Sequence, residues 1–124
     1  GPTHGDFHLF NAFFEGDELV LLDFDNCGGD FYVAEISSFL WANHYVGGID
    51  EAVNEAFLEG YSAERPLSQE EFANMPLFYA AKEMAFLCGF AANVNCVGHT
   101  PLLNPDLDWF ADSTRRNIRN AGLI

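Results

Sequence analysis

Three polar residues in the first third of the chain could act together in catalysis: Asp6, Asn11 and Asp23. The apolar runs 11–14 and 19–23 flank a turn signal at Glu15-Gly16-Asp17-Glu18, which predicts a β-hairpin. Because a hairpin brings the start of its first strand beside the end of its second, we expect Asn11 and Asp23 to converge. Their amide and carboxylate oxygens are hard ligands of the kind that Mg²⁺ takes. Asp6, on the preceding loop, can accept a proton from a substrate hydroxyl.

The spacing of these residues follows the logic of a phosphoryl-transfer centre. In the catalytic loop of protein kinases an Asp is the base, an Asn five residues later binds one metal ion, and an Asp beyond a hairpin binds the other. The interval from Asp6 to Asn11 is also five residues. Since phosphoryl transfer depends mainly on positioning and charge neutralisation, three placed oxygen ligands are the equipment it needs.

The flanking motifs point to a particular group of kinase-like enzymes. His4–Asn11 reads HGDFHLFN, of the form HGDxHxxN, and Asp23-Phe24-Asp25 stands where protein kinases have DFG. These segments resemble the aminoglycoside phosphotransferase and choline kinase superfamily. Glu35–Trp41, EISSFLW, is similar to a helix of that superfamily in which Asp is usual at the position of Glu35.

Two further stretches extend the resemblance to about Asn95. Phe57–Tyr61 reads FLEGY and Arg65–Ser68 reads RPLS. Together they are similar to a bacterial subgroup that includes stress-response and homoserine-kinase-like members. The last helix carries no comparable signature.

The resemblance implies a fold, a reaction and roles for individual residues. It implies an α+β structure: the mostly helical C-terminal lobe of the protein-kinase-like fold, with a β-hairpin beside the catalytic loop. Asp6 would be the catalytic base, Asn11 and Asp23 the Mg²⁺ ligands, and His4 and His8 structural members of the loop. The reaction would be ATP- and Mg²⁺-dependent phosphoryl transfer to a hydroxyl acceptor, expected to be a small molecule.

Other parts of the kinase machinery are missing from the sequence. There is no Gly-rich phosphate loop, and the single lysine, Lys82, lies far downstream in a predicted helix. We therefore expect residues 1–124 to be the catalytic lobe alone, without an N-terminal nucleotide-binding lobe and with little or no activity by itself. The alternative is a non-catalytic lobe that serves as an interaction or oligomerisation module, and exposed apolar surface would then favour a homo-oligomer.

After the hairpin and the Cys27–Asp30 break, every predicted element is a helix. Ser68 and Glu71 form a capping box that predicts a helix start. Pro76 is expected to open or kink the long apolar helix that follows. The opening Gly1-Pro2 has the form of a protease-cleavage remnant and is left out of the fold prediction. The predicted helices are 31–45, about 50–61, a start at 68, 76 to about 95, and about 105–121.

Composition limits the partners. The formal charge is -14, so the chain should repel nucleic acid and anionic membranes. Most carboxylates are expected to be solvated, although an acidic wall facing a cationic acceptor stays open as an alternative. The glutamates of that wall would be Glu55, Glu59, Glu70, Glu71 and Glu83.

The cysteines and histidines suggest no structural bridge or metal cluster. The three cysteines form no CxxC pair, which favours free, buried thiols in a reducing cytoplasm. No stretch is long and apolar enough for a spanning segment. A zinc site from His4, His8 and Asp23 is conceivable, but its spacing matches no standard motif.

Overall fold

The computed structural model describes residues 1–46, 51–97 and 107–124 of the chain. These residues are mostly helical with a few short strands, as the α+β prediction requires. The chain divides into two compact units, Gly1–Met75 and Pro76–Ile124. In chain order the elements are β1 (Pro2–Thr3), β2 (Ala12–Glu15), β3 (Glu18–Leu21), β4 (Gly28–Gly29), α1 (Tyr32–Val46), α2 (Glu51–Glu64), α3 (Gln69–Val97) and α4 (Leu107–Asn120).

The predicted hairpin is present as β2 and β3. The strands are antiparallel, with Ala12 opposite Leu21 and Glu15 opposite Glu18, so the turn is the two residues Gly16 and Asp17. Gly16 has φ +64°, a left-handed conformation that glycine adopts without steric cost. β2 has the predicted length but begins one residue later, because Leu9–Asn11 forms a 3₁₀ turn. β3 ends at Leu21, two residues before the predicted end, ahead of the 3₁₀ turn Phe24–Asn26.

A second, two-residue pairing was not predicted. Pro2 pairs with Gly29 and Thr3 with Gly28 in antiparallel register. Leaving Gly1-Pro2 out of the fold prediction therefore missed this pairing. The strand Gly28–Gly29 lies inside the Cys27–Asp30 break, and every element described after that break is a helix, as predicted. Proline and glycine have low strand propensity, and the pairing is visible only once distant segments meet.

The apolar helix predicted at 31–45 is α1, and it supplies the core of the first unit. Val33, Ile36, Phe39, Trp41 and Ala42 are buried along it. The Phe39 ring stacks on Phe57 of α2 at 3.9 Å between centroids and on Phe7 at 5.4 Å. Phe7 thereby anchors the loop between β1 and β2 in the aromatic core.

Helix α2 extends beyond the predicted end, to Glu64 rather than to about Tyr61. The predicted start of this helix, near residue 50, lies outside the described residues.

The capping box at the start of α3 is confirmed. The Glu71 amide donates to Ser68 Oγ at 3.1 Å, and the Ser68 amide donates to Glu71 Oε2 at 2.9 Å. Arg65 adds an ion pair to Glu71 at 2.7 Å. Pro76 was expected to open or to kink a helix. It does not open one, because α3 is one helix of 29 residues with Pro76 inside it.

In the second unit, α3 carries a buried carboxylate. Glu83 is 1% exposed and accepts a hydrogen bond from Asn117 Nδ2 of α4 at 2.5 Å. Burial, and secondarily the charge of Glu83, raises the pKa of Tyr79 to about 12. Glu83 is therefore not part of an exposed acidic wall, and neither is Glu71, which caps α3 and pairs with Arg65.

Helix α4 ends at a glycine, as predicted. Gly122 has φ +71°, the Leu123 amide donates to the Ile118 carbonyl and the Gly122 amide to the Arg119 carbonyl. This pair of bonds is a Schellman motif. The predicted start of the helix at about 105 falls outside the described residues.

The prediction that the cysteines are buried is wrong for Cys27 and Cys88, the two whose side chains the structure describes. Cys27 and Cys88 are free and exposed, because Cys27 follows a 3₁₀ turn and Cys88 lies on an outer face of α3. The side chain of Cys96 lies outside the described residues. Among the helices of the described ranges, none combines the length and the apolar character needed to cross a membrane.

Candidate active site

His4 fixes the start of the loop. Its side chain is buried, and its ring lies 4.5 Å from the ring of Phe24, centroid to centroid. The Asp6 amide lies 3.4 Å from His4 Nδ1, so Nδ1 is the acceptor, and Nε2 then donates to the Leu22 carbonyl at 2.8 Å. His4 thus ties the loop to the end of β3, which agrees with its predicted structural role.

Gly5 is held where no other residue fits. Its φ is +81°, and a Cβ at this position would lie 2.2 Å from the Asn26 carbonyl oxygen. Its amide donates to Glu35 Oε2 of α1 at 2.9 Å. Through this hydrogen bond, Glu35 holds the loop against α1. The sequence signal for this contact is the acidic residue that opens the EISSFLW segment.

The main chain of Asp6 is fixed on both sides. Its amide bonds to His4, and its carbonyl accepts from Asn11 Nδ2 at 3.1 Å. Its side chain remains 29% exposed, with Oδ2 3.7 Å from His8 Nε2. The neighbouring Phe7 packs on Phe39. The Asp6 carboxylate is therefore accessible to solvent while its main chain is held in place.

Asn11 lies at the junction between this loop and the hairpin. Its main-chain amide donates to the His8 carbonyl, and its main-chain carbonyl accepts from the Leu22 amide, each at 2.9 Å. The second bond extends the β2–β3 ladder by one position, and Asp23 is the next residue. The open end of the hairpin thus brings the chain at Asn11 and the chain at Asp23 together, as the hairpin argument predicted for the backbone.

Asp23 has an unusual backbone. Its φ of 64° and ψ of 63° are left-handed, and among the described residues it is the one non-glycine residue with a positive φ. Asp tolerates this region better than most residues, yet it is still less favourable than ordinary helical or extended backbone. Strained residues of this kind are found disproportionately at functional sites.

The donor atoms at this junction fit a hard divalent cation. Asn11 Nδ2 is directed at the Asp6 carbonyl, which can only accept, so Oδ1 is the amide atom left for a ligand role. Asp23 is exposed and supplies a carboxylate. Among the described residues no three or more His, Cys, Asp and Glu side chains group into a metal site.

An apolar cavity of about 640 Å³ lies next to the loop. Phe7 and Leu9 of the loop, Phe14 and Leu19 of the hairpin and Phe57 of α2 are among its lining residues. In the second unit, Phe86 and Phe90 of α3 line another cavity, of about 280 Å³.

Comparison with known proteins identifies the family. Residues 1–72, which include the loop, the hairpin, α1 and α2, match the phosphotransferase enzyme family. The chain belongs to this family. The resemblance inferred from HGDxHxxN and the later motifs is confirmed.

Individual relatives cover most of the chain. A homoserine kinase of Rhizobium etli is 37% identical over 89 residues, 69% of this chain and 28% of that protein. A homoserine kinase of Agrobacterium fabrum is 35% identical over 89 residues, again 69% of this chain and 28% of that protein. An uncharacterized protein of Deinococcus radiodurans is 34% identical over 91 residues, 70% of this chain and 27% of that protein.

The chain thus spans little more than a quarter of the length of these curated relatives. No solved structure matches the chain.

Proposed function

We propose that this chain is the catalytic lobe of an enzyme that transfers a phosphoryl group from ATP to a hydroxyl, with Mg²⁺ as cofactor. Asp6 is the base, and Asn11 and Asp23 hold the metal. The observation that carries the proposal is the bond from Asn11 Nδ2 to the Asp6 carbonyl, which fixes base and ligand within one loop. Membership of the phosphotransferase family supports the same reaction class.

The residues divide the work between them. The Asp6 carboxylate orients the acceptor hydroxyl and takes its proton as the oxygen attacks the terminal phosphorus, while the bond from phosphorus to the bridging oxygen breaks. Asn11 Oδ1 and the Asp23 carboxylate hold the cation. When bound, Mg²⁺ neutralises charge on the phosphate oxygens. His4 and Glu35 keep the loop in place through the Asp6 and Gly5 amides.

We further propose that a separate N-terminal lobe supplies the nucleotide-binding residues and that the acceptor is a small molecule. The relatives named homoserine kinase make homoserine the first acceptor to test. The uncharacterized relative has a similar sequence identity, so other small hydroxyl compounds should be screened alongside homoserine.

The test compares two substitutions in the protein that includes the nucleotide-binding lobe. Asp6→Asn keeps the shape but removes the basic oxygen, so kcat should fall by about 10²- to 10⁴-fold with nucleotide affinity nearly unchanged. Asp23→Asn weakens a metal ligand, so the Mg²⁺ concentration for half-maximal rate should rise as well. Asp17→Asn, at the exposed hairpin turn, is the matched control and should match the wild type.

The outcome that counts against the base assignment is equally specific. If Asp6→Asn keeps more than about a tenth of wild-type kcat while chemistry limits the rate, Asp6 is not the base. If Asp23→Asn leaves the Mg²⁺ requirement unchanged, Asp23 is not a ligand.

A further inference from the structure

His8 lies between the two functional residues of the loop. Its Nε2 is 3.3 Å from Asn11 Nδ2 and 3.7 Å from Asp6 Oδ2. Its side chain is 22% exposed, and its ring also meets the edge of Phe10. The proposed mechanism gives His8 no role, so its position needs a separate account.

The hydrogen-bond directions at Asn11 follow from chemistry. The Asp6 carbonyl can only accept, so the side of the Asn11 amide that faces it must be the NH₂ group. The same NH₂ group faces His8 Nε2, so Nε2 accepts and the proton of a neutral ring is on Nδ1. The His8 Nδ1 atom is buried and has no hydrogen-bond partner among the described residues.

This arrangement has a cost, because a buried donor without a partner is unfavourable. The other neutral tautomer would leave an unpaired acceptor at Nδ1 and set two N–H groups against each other at Asn11. The contact between His8 Nε2 and Asn11 is therefore made although His8 Nδ1 is left without a hydrogen-bond partner among the described residues.

We infer that His8 is a positioning residue for Asn11, an inference that rests on the proposed role of Asn11 as a metal ligand. With one N–H on the Asp6 carbonyl and the other on His8 Nε2, the plane of the Asn11 amide is fixed. Oδ1 then faces in one direction, away from both acceptors. A flipped amide would set Oδ1 against two acceptor atoms.

His8 is closer to the Asn11 amide than to the base. The 3.7 Å between Nε2 and Asp6 Oδ2 exceeds hydrogen-bond distance. The contact that His8 makes within hydrogen-bond distance is with the Asn11 amide, so its effect should appear in metal affinity. Partners that orient metal ligands typically contribute about 10- to 100-fold to metal affinity.

The experiment measures Mn²⁺ affinity of the 124-residue chain by water-proton relaxation, with ¹⁵N spectra to locate the broadened amides. Three variants separate the possible roles. His8→Ala removes the acceptor, His8→Gln places an amide oxygen near the position of Nε2, and His8→Asn reaches only as far as Nδ1. His44→Ala, at an exposed position on α1, is the control for loss of an imidazole.

We expect His8→Ala and His8→Asn to raise the Kd for Mn²⁺ about tenfold and His8→Gln to restore it to within about threefold of the wild type. The Asn11 side-chain NH₂ signals should shift in the first two variants and return in the third. Unfolding midpoints check that all variants fold, and His44→Ala should bind like the wild type.

Two different failures can be told apart. If Asn11→Ala and Asp23→Ala lose Mn²⁺ but His8→Ala does not, the inference is overturned and the proposed metal site stands. If His8→Gln binds as weakly as His8→Ala, the acceptor at Nε2 is not what matters and the inference also fails. If Asn11→Ala and Asp23→Ala bind like the wild type, the proposed metal site itself is wrong.

Discussion

Glu35 connects the loop that carries Asp6 to the first helix. Its carboxylate accepts the Gly5 amide, and Gly5 is pressed against the Asn26 carbonyl so closely that a side chain cannot enter. A charge-assisted bond to a main-chain amide is stronger than a neutral one. The loop is thus held by a helix residue thirty positions along the chain.

Replacing Glu35 should therefore cost more than replacing a similar glutamate elsewhere. Glu35→Ala is expected to lower the free energy of unfolding by about 1.5–3 kcal/mol, because it leaves the Gly5 amide without its partner. Glu51→Ala is the matched control, since Glu51 is exposed in the first turn of α2 and shares only the interaction with the helix dipole. Urea unfolding followed by amide signals of residues 1–75 measures both, and equal losses would contradict this role of Glu35.

Individual residues differ in how far their roles can be predicted from the sequence. Asp6, Asn11 and Asp23 could be chosen because polar residues at motif spacing stand out. The contacts of Glu35 and His8 could not, because each depends on the direction of a side chain in the folded loop. His8 and Asn11 are three residues apart, but only the 3₁₀ turn brings their side chains together.

At the scale of elements, the start of α3 is the clearest case of local control. The capping box was predicted from Ser68 and Glu71 alone, and both reciprocal bonds form. Hydrogen bonding with Ser68 and then the Arg65 side chain lower the pKa of Glu71. Its stabilising effect is therefore present above its unfolded pKa, near 4.5, and is lost as the pH falls through the lower folded value.

This pKa shift predicts a pH-dependent difference between two proteins. The melting temperature of the wild type should exceed that of Glu71→Gln at pH 7, and the gap should close as the pH is lowered below about 4.5. Glu70→Gln is the control, because Glu70 is exposed next to Glu71 in the same turn. Calorimetry from pH 3 to 7 measures the gap, and a gap independent of pH would mean that the Glu71 charge has no part in the cap.

Elements that depend on distant partners were harder to predict. The β1–β4 pairing joins residues 25 or more positions apart and uses proline and glycine. Helix α3 continues through Pro76, although proline inside a helix costs about 3 kcal/mol. Buried positions after it, such as Ala80 and Glu83, show that packing on α3 continues past the proline. Local propensity gives no measure of such packing.

At the scale of the whole molecule, charge and exposed apolar surface oppose each other. On the hairpin, Phe13 and Val20 are a cross-strand pair and are 51% and 43% exposed. Exposed apolar strands with free edges favour association. A formal charge of -14 favours separation through repulsion between copies.

We propose that the chain self-associates through this hairpin face and that salt strengthens the association by screening the repulsion. The average mass in sedimentation equilibrium should rise between low and high ionic strength. The double variant Phe13→Thr/Val20→Thr, which keeps strand-forming residues, should reduce the rise. Ile124→Thr removes a more exposed apolar residue near the C-terminal end of the sequence and should leave the rise unchanged. A monomer at every salt concentration would contradict the proposal and weigh against the oligomerisation module.

With the proposed role of Asp23 as a metal ligand, its left-handed backbone would place this position under two opposed selections. For folding alone, Gly and Asn suit that conformation at least as well as Asp, because Gly lacks a Cβ and Asn tolerates the region. For holding a cation, neither supplies a carboxylate. In a library of all residues at position 23, sorting for abundance should enrich Gly and Asn alongside Asp, whereas sorting for phosphoryl transfer in the two-lobe protein should retain Asp alone.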